Sequence, residues 1–456
     1  MTRKSGFLAG NARERLLSRV EALRHAETPR AFPNANDRAA PGSNPTDFST
    51  LPGYAELRMQ RAVADMVGID SPFFRVHEAR ASASTLIAGQ TCLNFSSYDY
   101  LGLNGHPEVA DAATAAIAQY GLSCSASRLV AGERPIHRSL ERALADHYGG
   151  EDCAVFVSGY ATNVGVIGQL VGPKDLLVYD AAIHNSAVVG GLLSGANRRS
   201  FAHNDLASLD RLLGSIRDDF ERVLIVVEGL YSMDGDYPHL PTLIEIKKRH
   251  EAWLMIDEAH ALGVLGRRGY GLAEHFDVDG NAVDIWMGTL SKTLAGCGGF
   301  IAGSTELVEY LKCMAGVFVY SVGLPPALAA GSAKALELMH REPERVRQLQ
   351  QNSLYFHELA KQNGLDTGAG MGTAVAPVMV ADSLPAVVLS QRLLERGINV
   401  LPIIYPAVPA KASRLRFFIT AAHTEAQIRI AVEATAEELR DISSKESLLR
   451  LPTLQS

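Results

Sequence analysis

Six short apolar runs decide what this chain can fold into: CAVFVS (153–158), LLVYD (176–180), RVLIVVEG (222–229), WLMIDEA (253–259), DIWMGTL (284–290) and GGFIAGS (298–304). They show no polar alternation, as expected of strands covered on both faces. Helix-sized gaps separate them, which argues for a large, mostly parallel α/β sheet. Upstream, residues 57–67, 108–120 and 136–147 read as helices, and 91–96 as a strand ending in the turn-rich YDYLGLNGHP. In GLPPALAAG, Pro325 and Pro326 precede a long helical stretch, and 327–442 reads as a smaller α+β domain. Residues 11–26 form a short amphipathic helix in this reading. Residues 27–52, rich in Pro, Asn, Ser, Thr and Asp, form a flexible linker. The expected division is an extension (1–53), an N-terminal segment (54–120), a large domain (121–326), a small domain (327–442) and a tail (443–456).

Composition narrows the function classes. The chain has 456 residues and a formal net charge of −7, with no basic footprint for nucleic acid. Five scattered cysteines without C-x-x-C spacing favour free thiols over disulfides or a zinc site. No apolar run reaches membrane-spanning length, and residues 1–24 lack the apolar core of a secretory signal. A cytoplasmic protein is the expectation.

Chemistry in open α/β sheets gathers past the carboxyl ends of the strands. Five segments lie there. SGYATN (158–163) can offer free N–H groups at a helix start to a phosphate, or serve only as a tight turn. In IDEAH (256–260), Asp257 ends a buried strand and needs a cation or hydrogen bond. A pyridinium nitrogen would serve, with His260 donating to a phenolic oxygen; a helix N-cap or a metal pair would also account for them. In GTLSKTLAGCGG (288–299), Lys292 follows an apolar strand inside a glycine-rich enclosure, and burial would lower its pKa as a Schiff-base lysine requires. Thr289 and Ser291 can offer hydroxyls to phosphate. EGLYSMDGD (228–236) brings Glu228 and Ser232 to the same crevice. Its MDGD turn lacks the ligand spacing of a calcium hand, and no metal is expected. His184 in DAAIHNS (180–186) can lie flat against an aromatic ring or be a structural histidine.

The set SGYATN, HNS, EGLYSMDGD, DEAHALGVLG, GTLSK and RLRFFITAAHT (414–424), with FSSYDYLGL (95–103) and SASRLVAGERPIHRSLE (125–141), resembles the α-oxoamine synthases, in order and spacing, across roughly 72–440. The resemblance implies a fold-type I pyridoxal-phosphate enzyme, with a mostly parallel seven-stranded sheet, that condenses a small amino acid (glycine, alanine or serine) with an acyl thioester. By the same resemblance Lys292 carries the cofactor, Asp257 pairs with its ring nitrogen, His260 and Ser232 approach the phenolic oxygen, and His184 stacks on the ring. Gly159, Tyr160 and Thr289 contact the phosphate. Arg416 would grip the amino acid's carboxylate as a fork; Arg75, Tyr98 and Ser321 complete the implied substrate set. A homodimer with shared active sites is implied, Tyr320 and Ser321 lying in the segment that reaches across.

Tyr98 stands where biotin-pathway members carry Asn, and Ala407 where they carry Thr. Both argue against a plain biotin-pathway synthase, while the leader before residue 54 and the segments SASRLVAGERPIH and GTLSKTLAGCGG most resemble the serine palmitoyltransferase-like, polyketide-associated branch, some of whose members take acyl groups from an acyl carrier protein. The alternatives are an aminotransferase and a non-catalytic partner subunit; the presence of both Lys292 and Asp257 weighs against the second.

Overall fold

The computed structural model describes residues 46–66, 70–409 and 411–444. The helix expected at 11–26, most of the linker at 27–52 and all but the start of the tail lie outside them. Residues Pro52–Met66 are helical.

Thirteen strands are present among the described residues. β1 (Ser84–Ile87) and β2 (Gln90–Asn94) form a hairpin. The large sheet contains β3 (Asp152–Phe156), β4 (Leu176–Asp180), β5 (Asn197–Phe201), β6 (Val223–Glu228), β7 (Trp253–Asp257), β8 (Ile285–Thr289) and β9 (Gly299–Gly303). Its order is β3-β9-β8-β7-β6-β4-β5. Only β9 runs against the rest, pairing antiparallel with β3 and β8. All six apolar runs are strands, and β6 is buried over its whole length. The expectation omitted β5, NRRSF, an edge strand paired only with β4 and buried solely at Phe201. An edge strand faces water and can be polar, so hydrophobicity does not reveal it.

The remaining strands are β10 (Val375–Ala381), β11 (Ile398–Asn399), β12 (Leu401–Ile403) and β13 (Ser413–Phe418). β13 lies between β10 and β12, antiparallel to both, while β11 runs parallel to β2. A second core gathers Phe356, Leu389, Leu415, Phe417, Ile428 and Phe95. Phe95 therefore joins a core built from residues about three hundred positions away. Conversely, Ala335, Leu336 and Met339 of the helix Pro326–Arg341 belong to the large sheet's core, so packing of the first core continues past residue 327.

Strand periodicity at β13 joins the two cores. Successive side chains alternate faces, so Leu415 and Phe417 enter the second core while Phe418 packs into the first. Arg414 and Arg416 share the face of Phe418. That face looks onto the carboxyl ends of the large sheet's strands.

Candidate active site

Strands β3, β4, β6, β7 and β8 each deliver residues to one crevice. After β3, Ser158 caps the helix Gly159–Leu170, accepting from the Ala161 N–H at 3.3 Å. The first amides of that helix lack helical partners. Two glycines let the helix start approach the sheet. A Cβ on Gly159 would stand 3.0 Å from Thr289 Oγ1, and one on Gly299 would stand 2.5 Å from Thr162 Oγ1 and 2.8 Å from Gly159 Cα. Thr289 donates to the Gly298 carbonyl at 2.8 Å. A helix N-terminus whose first amides can bind an anion thus lies directly against Thr289 and the glycine turn.

Asp257, at the end of β7, is 5% exposed. Its Oδ1 accepts from the Ala259 N–H at 2.9 Å and its Oδ2 from Asn163 Nδ2 at 2.8 Å. Asn163 also donates to Ser186 Oγ at 2.9 Å, and Ser186 Oγ lies 2.7 Å from His184 Nδ1. The Asp257 carboxylate and the His184 ring are therefore fixed by one hydrogen-bonded chain. His184 itself is exposed at the N-cap of the helix Asn185–Ser194, leaving its ring open to a flat ligand. Tyr160 is exposed next to it, edge-on to His184, and its hydroxyl donates to Asn185.

Lys292 is half-buried, its Nζ 5.7 Å from the Tyr98 ring centre. Burial lowers its pKa to about 8, although Asp257 and Glu228 pull it upward. Burial, with Asp257 adding, raises Glu228 to about 8; its Oε1 has no hydrogen-bond partner. His260 Nδ1 lies 2.6 Å from the hydroxyl of fully buried Tyr100. Burial, reinforced by Lys292 and Arg416, holds His260 far below the usual imidazole range, and burial raises Tyr100. Both are neutral near pH 7, and in the tautomer whose Nδ1 accepts from the phenol, Nε2–H is left to donate into the crevice.

From β13, Arg416 donates to the Ser232 carbonyl at 2.9 Å and lies over the Phe418 ring at 4.7 Å, its Nε buried without a partner. Arg414 donates to the Met233 carbonyl at 2.9 Å and pairs with Asp234 at 2.5 Å.

Similarity to known proteins agrees with this arrangement. Residues 90–434 match the family described as aminotransferase class I and II. The 8-amino-7-oxononanoate synthase of Pseudomonas putida (strain W619) is 41% identical over 354 residues, covering 78% of this chain and 90% of that protein. The chain belongs to the α-oxoamine synthases. A solved serine palmitoyltransferase from S. paucimobilis, described with a bound PLP–myriocin aldimine, superimposes with a TM-score of 0.83 at 29% identity, covering 87% of this chain and 99% of that one. An 8-amino-7-oxononanoate synthase from Francisella tularensis gives 0.65 at 25% identity, covering 76% of this chain and 97% of that one. Of these two solved structures, the serine palmitoyltransferase gives the larger overlap. The curated relatives instead bear the other name.

The cofactor of an α-oxoamine synthase is pyridoxal phosphate, and the crevice fits it. The glycine-lined helix start suits a phosphate, each Asp257 oxygen accepts one bond and keeps a lone pair for a cation, and Lys292 offers an amine of lowered pKa. Two expected residues stand apart. Arg75 is bonded to Asn399 Oδ1 (2.9 Å) and Ser390 Oγ (3.2 Å), beside the β2–β11 pairing. Ser321 lies beside the bridge between Ser127 and Val322, next to Tyr320, which is 89% exposed. Sequence reading assigned no role to Asn163, Tyr100 or Arg414. Asn163 and Tyr100 lie inside motifs quoted for other residues, and Arg414 is one strand period before Arg416.

Proposed function

We propose that the chain catalyses a decarboxylative condensation in which glycine, alanine or serine is joined to an acyl thioester to give an α-amino ketone. The observation that supports it best is the Lys292 amine, of lowered pKa, held in one crevice under the field of Asp257. Bound pyridoxal phosphate would supply the electron sink that lets an amino acid lose its α-proton and carboxylate. Asp257 would hold a proton on the cofactor's ring nitrogen. Lys292 Nζ can take a proton at the α-carbon and give one back, because a pKa near the working pH serves both directions. His260 Nε2–H donates to an oxygen, of the cofactor or of the incoming thioester. Arg416 has donors to spare beyond the Ser232 carbonyl and binds the amino acid's carboxylate.

The relatives' names bear on the substrate. An 8-amino-7-oxo product ending in a ninth carbon contains the CH3–CH(NH2)– unit that alanine leaves after losing CO2, joined to a carbonyl that the acyl thioester supplies, whereas serine palmitoyltransferase names serine. The deciding experiment offers the purified protein each of the three amino acids with acyl-CoA and with acyl carrier protein thioesters, measuring CO2 and product mass. An α-amino ketone with one CO2 per turnover is expected. Exchange of amino groups with keto acids without CO2 would indicate an aminotransferase instead. Turnover of acyl-CoA alone would remove the carrier-protein reading.

Arg416→Lys keeps the charge but loses the planar fork. Its amino-acid KM is expected to rise about 10- to 100-fold, as for a lost bidentate charged contact, with the thioester KM nearly unchanged. Equal change in both would place Arg416 elsewhere.

The lysine makes a pH prediction. Because the folded apoprotein holds the amine at about 8, the fraction of free amine rises with pH through that value. Attachment of pyridoxal phosphate to apoprotein, followed by absorbance, should accelerate with a midpoint near 8. A midpoint at the ordinary lysine value of 10.5 would contradict a desolvated amine.

A homodimer is the proposed assembly. Leu129, Val130, Tyr320 and Val322 are exposed apolar residues on two segments joined by the Ser127–Val322 bridge, a surface suited to a partner. A monomer by sedimentation would exclude it. All five cysteines are free, and no described helix is long and apolar enough to cross a membrane; both are compatible with the cytoplasm.

A further inference from the structure

Behind the crevice lies a charged cluster that the proposed reaction does not use. His203, two residues past β5, has Nδ1 2.8 Å from Asp180 Oδ1 and Nε2 2.9 Å from Asp236 Oδ2. Asp180 and Asp236 are buried carboxylates. An imidazole facing an acceptor from each nitrogen must be protonated to donate to both; the two carboxylates hold it so, raising its pKa to about 10 against the opposing effect of burial. Asn204 reinforces the same bridge, its N–H donating to Asp180 Oδ2 at 2.8 Å and its Nδ2 to Asp236 Oδ2 at 2.7 Å. The Asn204 backbone has φ +54°, a conformation that asparagine tolerates better than most residues. Tyr231 packs edge-on to the His203 ring, with centroids 4.5 Å apart.

Each aspartate belongs to a different turn. Asp180 ends β4 and accepts from the Ala182 N–H at 2.7 Å, shaping the turn that ends at His184. Asp236 closes the turn after β6: its carbonyl accepts from the Tyr231 N–H at 2.8 Å, and the Gly235 N–H reaches the Tyr231 carbonyl at 2.9 Å. That turn carries Ser232, the carbonyl that holds Arg416, and the Met233 carbonyl that holds Arg414. It presses so closely on β10 that a Cβ on Gly235 would stand 2.0 Å from the Val375 carbonyl oxygen. His203, Asp234 and Asp236 also bring ligand atoms within 4.8 Å of one another, but both His203 nitrogens face carboxylates and Asp234 faces Arg414, so the cluster is already charge-paired.

We infer that His203 is a positioning residue: one imidazolium clamps the turn bearing His184 to the turn bearing Ser232 and the carbonyl anchor of Arg416, setting the site's geometry without touching cofactor or substrate. Without it, two buried carboxylates would face each other with only Asn204 between them. The inference rests on the proposed function for the meaning of those turns.

The test compares parent, His203→Gln and His203→Phe. Gln keeps one donor and Phe keeps only the ring's bulk. Two quantities are read: the dissociation constant of pyridoxal phosphate from apoprotein, by fluorescence titration, and the KM values for amino acid and thioester. His203→Phe should weaken cofactor binding and raise the amino-acid KM by about tenfold or more, the scale of breaking one buried charged contact. The thioester KM should change by less than about threefold, with His203→Gln in between. A lowered melting temperature with cofactor binding and KM unchanged would make His203 merely structural and overturn the inference. If His203→Phe does not fold, His203→Gln decides alone on the same two readings. A parent that itself binds no pyridoxal phosphate would defeat the proposed function, a result distinct from either outcome.

Discussion

Replacing Lys292 by Ala should abolish turnover, lowering kcat by about a thousandfold or more, because the same amine serves as nucleophile and proton carrier. The variant should also lose the long-wavelength absorbance of cofactor bound through an amine. Folding should survive, since the change removes a charge that burial disfavours. Lys292→Arg is a sharper control. A guanidinium keeps the positive charge but does not lose its proton in a protein, so it should be as inactive as Ala. Substantial activity in either variant, with the absorbance retained, would move the chemistry to another residue.

Asp257→Asn should cost nearly as much, about a 100- to 10,000-fold loss in kcat, the range for removing a decisive charge or proton position in a site. Asn keeps the size of the side chain, and its oxygen can still accept from Ala259 N–H or from Asn163. The loss would therefore be electrostatic: no anion remains to hold a proton on the cofactor ring. A second effect has a defined sign. Asp257 raises the pKa of Lys292, so in Asp257→Asn the midpoint for cofactor attachment to apoprotein should fall below 8. Activity within about threefold of the parent, with an unmoved midpoint, would show that the carboxylate is structural.

The two substitutions test different parts of one arrangement. If both behave as expected, the amine and the carboxylate act together, and Glu228, held near 8 with an unpartnered oxygen, becomes the next group to examine. If only Lys292 matters, the ring nitrogen must find its proton partner elsewhere.

Much of the site was legible from the chain alone because its parts are local. A buried strand is a continuous apolar run, and the residues that follow it lie at a sheet's carboxyl end wherever the sheet goes. Asp257, His260, Lys292, Ser232 and Gly159 could therefore be named from their places after β7, β8, β6 and β3. Tertiary structure alone decided what depends on contacts between distant segments. β5 was hidden because an edge strand needs no apolar run. Phe95 entered the second core, and Arg75 turned to Asn399 and Ser390, through pairing of β2 with β11, some three hundred residues apart. The bond from Tyr100 to His260 and the bridge from His203 to Asp180 and Asp236 carry no sequence period at all. They arise where separate turns meet, and only the folded chain brings those turns together.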